Sequence, residues 1–138
     1  MSRRLTPDRS EQAAQAGRAF VEAFNEGDLD RFVSLLDAEV MLHSMRGPVA
    51  GREQARDWAT RPPGGVQQTI EIVATRVAPG AVLFEVDRVW HWAEDGTHAS
   101  TDEMAWLFEV GDDGLITSWR PFEDRTEAAT AMSERDPA

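Results

Sequence analysis

The sequence predicts an α+β domain. Apolar residues recur at three- and four-residue spacing before position 60, the signature of helices with one buried stripe. After position 65 the period changes to two, as in strands. Turn signals at Ala78-Pro79-Gly80, Asp95-Gly96 and Asp112-Asp113 cut this second half into consecutive strands, and helices followed by an antiparallel meander define the class.

The elements follow in order. Thr6-Pro7 reads as a helix N-cap followed by proline at the first helical position. Ala13, Ala16, Phe20, Ala23 and Phe24 form the stripe of that helix, which ends near Asn25-Glu26-Gly27, where glycine suits the C-cap. Asp28 can cap a short second helix carrying Leu29, Phe32, Val33 and Leu36. Residues 39–45 read as a strand and residues 51–60 as a third helix, with Arg61-Pro62-Pro63-Gly64-Gly65 as a breaker. Strands are expected over residues 68–77, 81–93, 98–110 and 115–123, and a last short helix from Thr126 to Met132.

Composition narrows the function. A chain of 138 residues fits one domain spanning residues 1–138, with loose tails over residues 1–6 and 133–138. The net charge of -11 argues against nucleic acid and anionic membrane surfaces, both of which need a basic face. Without cysteine there is no disulfide framework and no thiolate chemistry, and the three histidines have no ligand spacing, so no metal and no cofactor is expected. Lysine and tyrosine are also absent, which excludes Schiff-base chemistry and a phenolic acid. The N-terminus carries no apolar signal segment, so a cytoplasmic location is the default expectation.

A two-residue type I′ turn at Asp95-Gly96 would fix the register of the long hairpin. It pairs Arg88 with Glu103, Asp87 with Met104 and Glu85 with Trp106; the next turn then sets Trp106 opposite Trp119. One face of the sheet is therefore expected to carry Glu85, Asp87, Val89, Met104, Trp106 and Trp119. The other would carry Phe84, Val86, Arg88, Trp90, Trp92, Ala105 and Leu107. Two half-apolar faces suggest helices on one and a second copy on the other, giving a homodimer through the outer sheet face, with Trp90 and Trp92 in the interface.

Four stretches, AFVEAFNEGDLDRFVSLLDAEVMLH (19–43), GREQARDW (51–58), EVDRV (85–89) and FEVGDDGLITSWRPFED (108–124), resemble the SnoaL-like branch of the nuclear-transport-factor-2-like superfamily. The resemblance implies a cone-shaped, curved, mostly antiparallel sheet wrapped around the N-terminal helices, with Asp87 and Trp106 on its concave face. The fold hosts isomerases, cyclases, hydrolases and non-catalytic binders. Limonene-epoxide-hydrolase-like members carry Arg-x-Asp in one strand and Trp-Arg-Asp in the last. Here those motifs become Glu85-Val86-Asp87 and Trp119-Arg120-Pro121, so only Asp87 matches. The ketosteroid-isomerase-like aspartate position is held by Trp106, and the tyrosine is missing.

The expected site is a tryptophan-lined pocket for an apolar small molecule. Asp87 beside Met104 is the candidate proton-transfer group, because an apolar wall raises a carboxyl pKa toward neutrality. His43, on the first strand, is the candidate to orient or relay that proton. Trp58, Trp106, Trp119, Met45, Met104, Glu85 and Val89 would contact substrate. His91 and His98, near the hairpin tip, are expected in solvent. Two functions fit: a cofactor-independent cyclase, isomerase or hydrolase, and a non-catalytic binding or dimerisation module using the same pocket.

Overall fold

The computed structural model describes residues 8–60 and 65–134; the expected Thr6-Pro7 cap and most of the 61–65 breaker lie outside them. Helix α1 spans Arg9–Glu26, and Asp8 caps it by accepting a hydrogen bond from the Ser10 amide. Its C-cap is Gly27 at φ 70°, a left-handed conformation that glycine adopts without a Cβ clash. The side chain of Asp28 caps α2 (Leu29–Ser34) through the Arg31 amide, as expected. Strands β1 (Leu36–Ser44) and β2 (Gly47–Ala50) form a hairpin ahead of α3 (Arg52–Ala59). The meander follows as β3 (Val66–Ala78), β4 (Ala81–Trp92), β5 (His98–Val110) and β6 (Ile116–Phe122). Helix α4 runs Arg125–Glu134, so Ser133 and Glu134 belong to a helix rather than to a loose tail. No helix among the described residues is long and apolar enough to cross a membrane.

The six strands form one curved sheet in the order β2-β1-β6-β5-β4-β3, antiparallel throughout except for the β1–β6 pair. The concave face packs on α1–α3: Phe20, Phe24 and Phe32 from the helices meet Val82, Phe84, Val86, Met104, Trp106, Phe108 and Trp119 from the sheet. Helix α1 approaches β4 closely at Gly17, where an added Cβ would come within 2.8 Å of the Phe84 ring and 2.9 Å of Val82. Asn25 at the end of α1 closes on edge strand β3, donating to the Ile70 carbonyl at 2.9 Å and accepting from its amide at 2.8 Å. One side chain thus satisfies both edge groups of a residue that has no further strand beyond it.

The long hairpin has a different register from the expected one. Trp92 closes the loop with Thr97, leaving four residues, 93–96, in the turn, and only then does β5 begin. The Asp95 carboxylate accepts from the Thr97 amide and hydroxyl at 3.0 and 2.8 Å, and Gly96 adopts φ 74°. Opening the turn from two residues to four shifts the register by two and leaves faces unchanged. A bulge then follows: His91 pairs with His98 but Trp90 pairs with Ser100, so Ala99 is an extra residue on β5. The net shift is odd, and an odd shift exchanges the faces of β4 relative to β5. Phe84 consequently pairs with Trp106, Val86 with Met104, Asp87 with Glu103 and Arg88 with Asp102.

The expected dimer surface is corrected by the same shift. Phe84 and Val86 are core residues, and Leu83, Ala105 and Leu107 on the convex face are covered by Ala128 and Met132 of α4. Trp90 lines a cavity, and of that expected set only Trp92 is a large exposed hydrophobic side chain, at 49 %.

Candidate active site

The concave sheet and the helices leave a cavity of about 340 Å³ at the open end of the core. Phe24, Trp58, Trp90, Trp106 and Trp119 supply its aromatic wall, with Met104, Val66, Ala59 and Pro121 between them. Polar groups come from Ser44, Arg46, Thr60, Gln67, Gln68 and Arg88. Phe24, Trp58, Trp106 and Trp119 form one connected aromatic assembly. Trp58 lies 5.6 Å from Phe24 and 4.9 Å from Trp119, and Trp106 meets Trp119 edge-to-face at 5.1 Å and 88°. Edge-to-face contacts place the positive rim of one ring on the negative face of the next.

Local sequence explains who reaches the cavity. In β5 and β6, Met104, Trp106, Trp119 and Pro121 share the concave face as alternation predicts. The observed pairs are Trp106 with Pro121 and Phe108 with Trp119, so the two tryptophans are diagonal neighbours rather than directly opposite. Pro121 has no amide to donate; the β1–β6 ladder stops at Trp119, so none is needed on that side. Trp58 comes from the face of α3 turned to Phe24 and Phe32. Met45, 58 % exposed, sits at the mouth.

Asp87, Glu85 and Val89 are on the convex face, opposite the cavity, because of the odd register shift. There Arg125 of α4 gathers the carboxylates of Asp87, Glu85 and Glu103 at 3.4, 3.8 and 3.7 Å. It also donates to the carbonyls of Val86 and Met104 at 2.9 and 3.1 Å. His43 does not join Asp87. Val40 and Leu42 of β1 are buried inward, so His43, between Leu42 and Ser44, is turned outward and exposed. Strand β1 also stands three places from β4 in the sheet, a separation of roughly 14 Å at ordinary strand spacing. The alternation Val40-Leu42-Ser44 was the available signal for this orientation.

Two charged groups among the described residues reach the cavity, Arg46 and Arg88, and Arg88 is the one held by partners. Its Nε and Nη2 donate to Asp102 Oδ2 at 3.2 and 2.9 Å, and its guanidinium carbon lies 5.0 Å above the Trp90 ring. The Trp90 indole donates to the same Asp102 oxygen at 2.9 Å. Three residues on adjacent strands thus hold one another at the cavity rim. The Trp90 hydrogen bond, and then the Arg88 hydrogen bonds, keep the Asp102 carboxyl below its usual 3.8. The cluster is therefore fully formed above that value and lost as pH falls through the lowered pKa. The Trp90 indole N–H resonance is expected to stay constant from neutrality to about pH 5 and to move with a midpoint below 3.8. A midpoint at or above 3.8 in a pH titration by NMR would contradict this geometry. The signal for Arg88 and Trp90 lay in the apolar stripe Val82-Phe84-Val86, which continues directly into them. No cluster of residues that could hold a metal ion exists among the described residues.

Comparison with known proteins agrees with this architecture. An LEH-like epoxide hydrolase of M. tuberculosis superposes with a TM-score of 0.73 at 22% identity, over 88% of this chain and 84% of that one. A Δ5-3-ketosteroid isomerase from Mycobacterium sp. superposes with a TM-score of 0.64 at 16% identity, over 83% and 95%. A ketosteroid-isomerase-like protein from Catenulispora acidiphila in complex with trimethylamine gives 0.66 at 21% identity, over 78% and 84%. No curated protein sequence matches. The model of the SnoaL-like domain matches residues 17–119, from the middle of α1 to the tryptophan of β6. The chain belongs to the SnoaL-like domain family.

Proposed function

We propose that the cavity is the substrate site of a cofactor-independent small-molecule enzyme of isomerase or hydrolase type, acting on a largely apolar molecule that carries an oxygen. The observation that supports this reading is the placement of Arg88 at the cavity wall, with donors bound to Asp102 and its plane over the Trp90 ring. A guanidinium held before the reaction stabilises negative charge on a substrate oxygen without reorganising. Asp102, ionised and standing behind Arg88, would hold that guanidinium in place toward the cavity. In an isomerisation the proton leaves one carbon and returns to another, so the composition of the substrate is unchanged and no cofactor is consumed. In epoxide opening the proton of a water molecule goes to the epoxide oxygen and its hydroxide to carbon.

The aromatic wall would orient the substrate by stacking. The relatives named an epoxide hydrolase and a ketosteroid isomerase use the same fold for these two reaction types, so a terpene epoxide and a Δ5-3-ketosteroid are the natural first probes. Asp102→Asn is expected to lower turnover by about 10-fold or more, through loss of the anchor that positions Arg88. Asp87→Asn, altered on the opposite face, is expected to leave kcat within about 2-fold and to cost only the modest stability of a partly exposed ion pair. The reverse pattern in steady-state kinetics would overturn the proposal.

A second reading, a binding module without turnover, is favoured by one observation. No described residue lining the cavity carries a carboxylate or an imidazole; Asp102 stands behind Arg88. That reading expects both probes to quench tryptophan fluorescence and neither to be converted.

A further inference from the structure

The cavity wall carries unpartnered donors, and none of the described residues lining it carries a carboxylate. Trp106 and Trp119 are only 3 % and 4 % exposed and both line it. The indole N–H of each is buried without a hydrogen-bond partner among the described residues. Trp90, by contrast, gives its indole proton to Asp102 at 2.9 Å. An indole N–H only donates, so a buried one leaves its desolvation cost uncompensated until an acceptor arrives.

Charge points the same way. The protein carries 25 acidic residues, yet the only charged residues lining the cavity, among those described, are Arg46 and Arg88. Arg88 gives Nε and Nη2 to Asp102, and Nη1 has no hydrogen-bond partner among the described residues. An aromatic wall would ordinarily attract a cation. Here the guanidinium of Arg88 already covers the Trp90 face at 5.0 Å, and it would repel a second positive charge.

We propose that Trp106 and Trp119, in a cavity that Arg88 also lines, form an acceptor-oxygen subsite. It receives a carbonyl, enolate or carboxylate oxygen of a planar aromatic or polycyclic ligand and discriminates against ammonium compounds. The proposal rests on the reading of the cavity as a small-molecule site and names the chemistry that the site selects. Its two indole donors can serve the oxygen on which charge develops during isomerisation, or anchor a ligand that is merely held.

Three probes of matched shape test it: 2-naphthoate, 2-acetonaphthone and 2-naphthylmethylammonium. Each is titrated into the full-length ¹⁵N-labelled protein while the indole N–H resonances are followed; Trp106→Phe and Trp119→Phe assign the two signals. The two oxygen-bearing probes are expected to bind at least about tenfold more tightly than the ammonium, the scale of a hydrogen bond that a buried donor gains or lacks. The resonance of Trp106 or Trp119 is expected to move downfield with them, and the matching Phe variant to lose most of the discrimination. Equal or tighter binding of the ammonium overturns the subsite while leaving the cavity reading intact. So does binding of naphthoate and acetonaphthone with neither indole resonance moving downfield. If no probe perturbs Trp58, Trp90, Trp106 or Trp119, the subsite and the small-molecule reading fall together.

Discussion

Phe20→Ala is expected to destabilise the protein by about 3–5 kcal/mol, the range for truncating a fully buried phenylalanine. Phe20 is 0 % exposed and is the hub of the aromatic core. Its ring lies 4.8 Å from Phe32 and 4.9 Å from Phe108, and 6.2 and 6.3 Å from Trp106 and Trp119. Four partners from three elements close on it, so the space left by alanine cannot be filled by movement of one neighbour, and the cavity contribution is near its maximum. At roughly 2.1 cal/mol/K of unfolding entropy per residue, the loss corresponds to a fall in Tm of about 10–17 °C. Calorimetry checks the value. A fall of only about 3 °C would mean that the core around Phe20 is looser than its contacts imply.

The second large effect falls on activity and leaves stability almost untouched. If the cavity is the proposed substrate site, Arg88→Gln is expected to lower kcat by about 100- to 1000-fold on any oxygen-bearing substrate the protein turns over, the usual cost of removing one preorganised donor. The side chain of Arg88 is 25 % exposed and its partner Asp102 45 %, so the pair is solvent-screened and worth on the order of 1 kcal/mol or less to folding. A tenfold change in rate already equals about 1.4 kcal/mol, so the two readouts separate cleanly. Arg88→Lys keeps the charge but loses the planar stack on Trp90 and the fork toward Asp102, and is expected to recover only part of the rate. If Arg88→Gln lowers Tm as much as Phe20→Ala while kcat per folded molecule is unchanged, Arg88 is a structural residue.

The comparison of sequence with structure turns on parity. The helical stripe ending at Phe24, the Asp28 cap and the four long strands were legible because each depends on residues close in sequence. So was the sharing of one face by Met104, Trp106 and Trp119, which needs only alternation along β5 and a short turn into β6. The position of Asp87 was not legible, because it depends on a hairpin loop of four residues and an extra residue at Ala99, and no dipeptide rule encodes both. Asp95-Gly96 does turn the chain, but the Asp95 carboxylate caps Thr97 and draws the loop past the two-residue form. Charge matching could not decide the register either. Arg88 would have faced Glu103 in one alignment and faces Asp102 in the other, so opposite charges meet in both. Arg125 was invisible as a partner because its role is long-range, linking α4 to carboxylates 22 to 40 positions earlier.

The Ala99 bulge also bears on how such a cavity can change over evolutionary time. Loop tips gain and lose residues more freely than any other part of a domain. Beyond the bulge, two alternative side-chain sets are written along the same strand: Glu85, Asp87 and Val89 on one side, Val86, Arg88 and Trp90 on the other. A change of two residues at the tip keeps the set now facing inward, whereas a change of one must either be absorbed as another irregularity or exchange the sets. Insertion length at one surface turn therefore acts as an odd–even selector of cavity chemistry, able to replace a guanidinium by a carboxylate without any substitution in the strand itself.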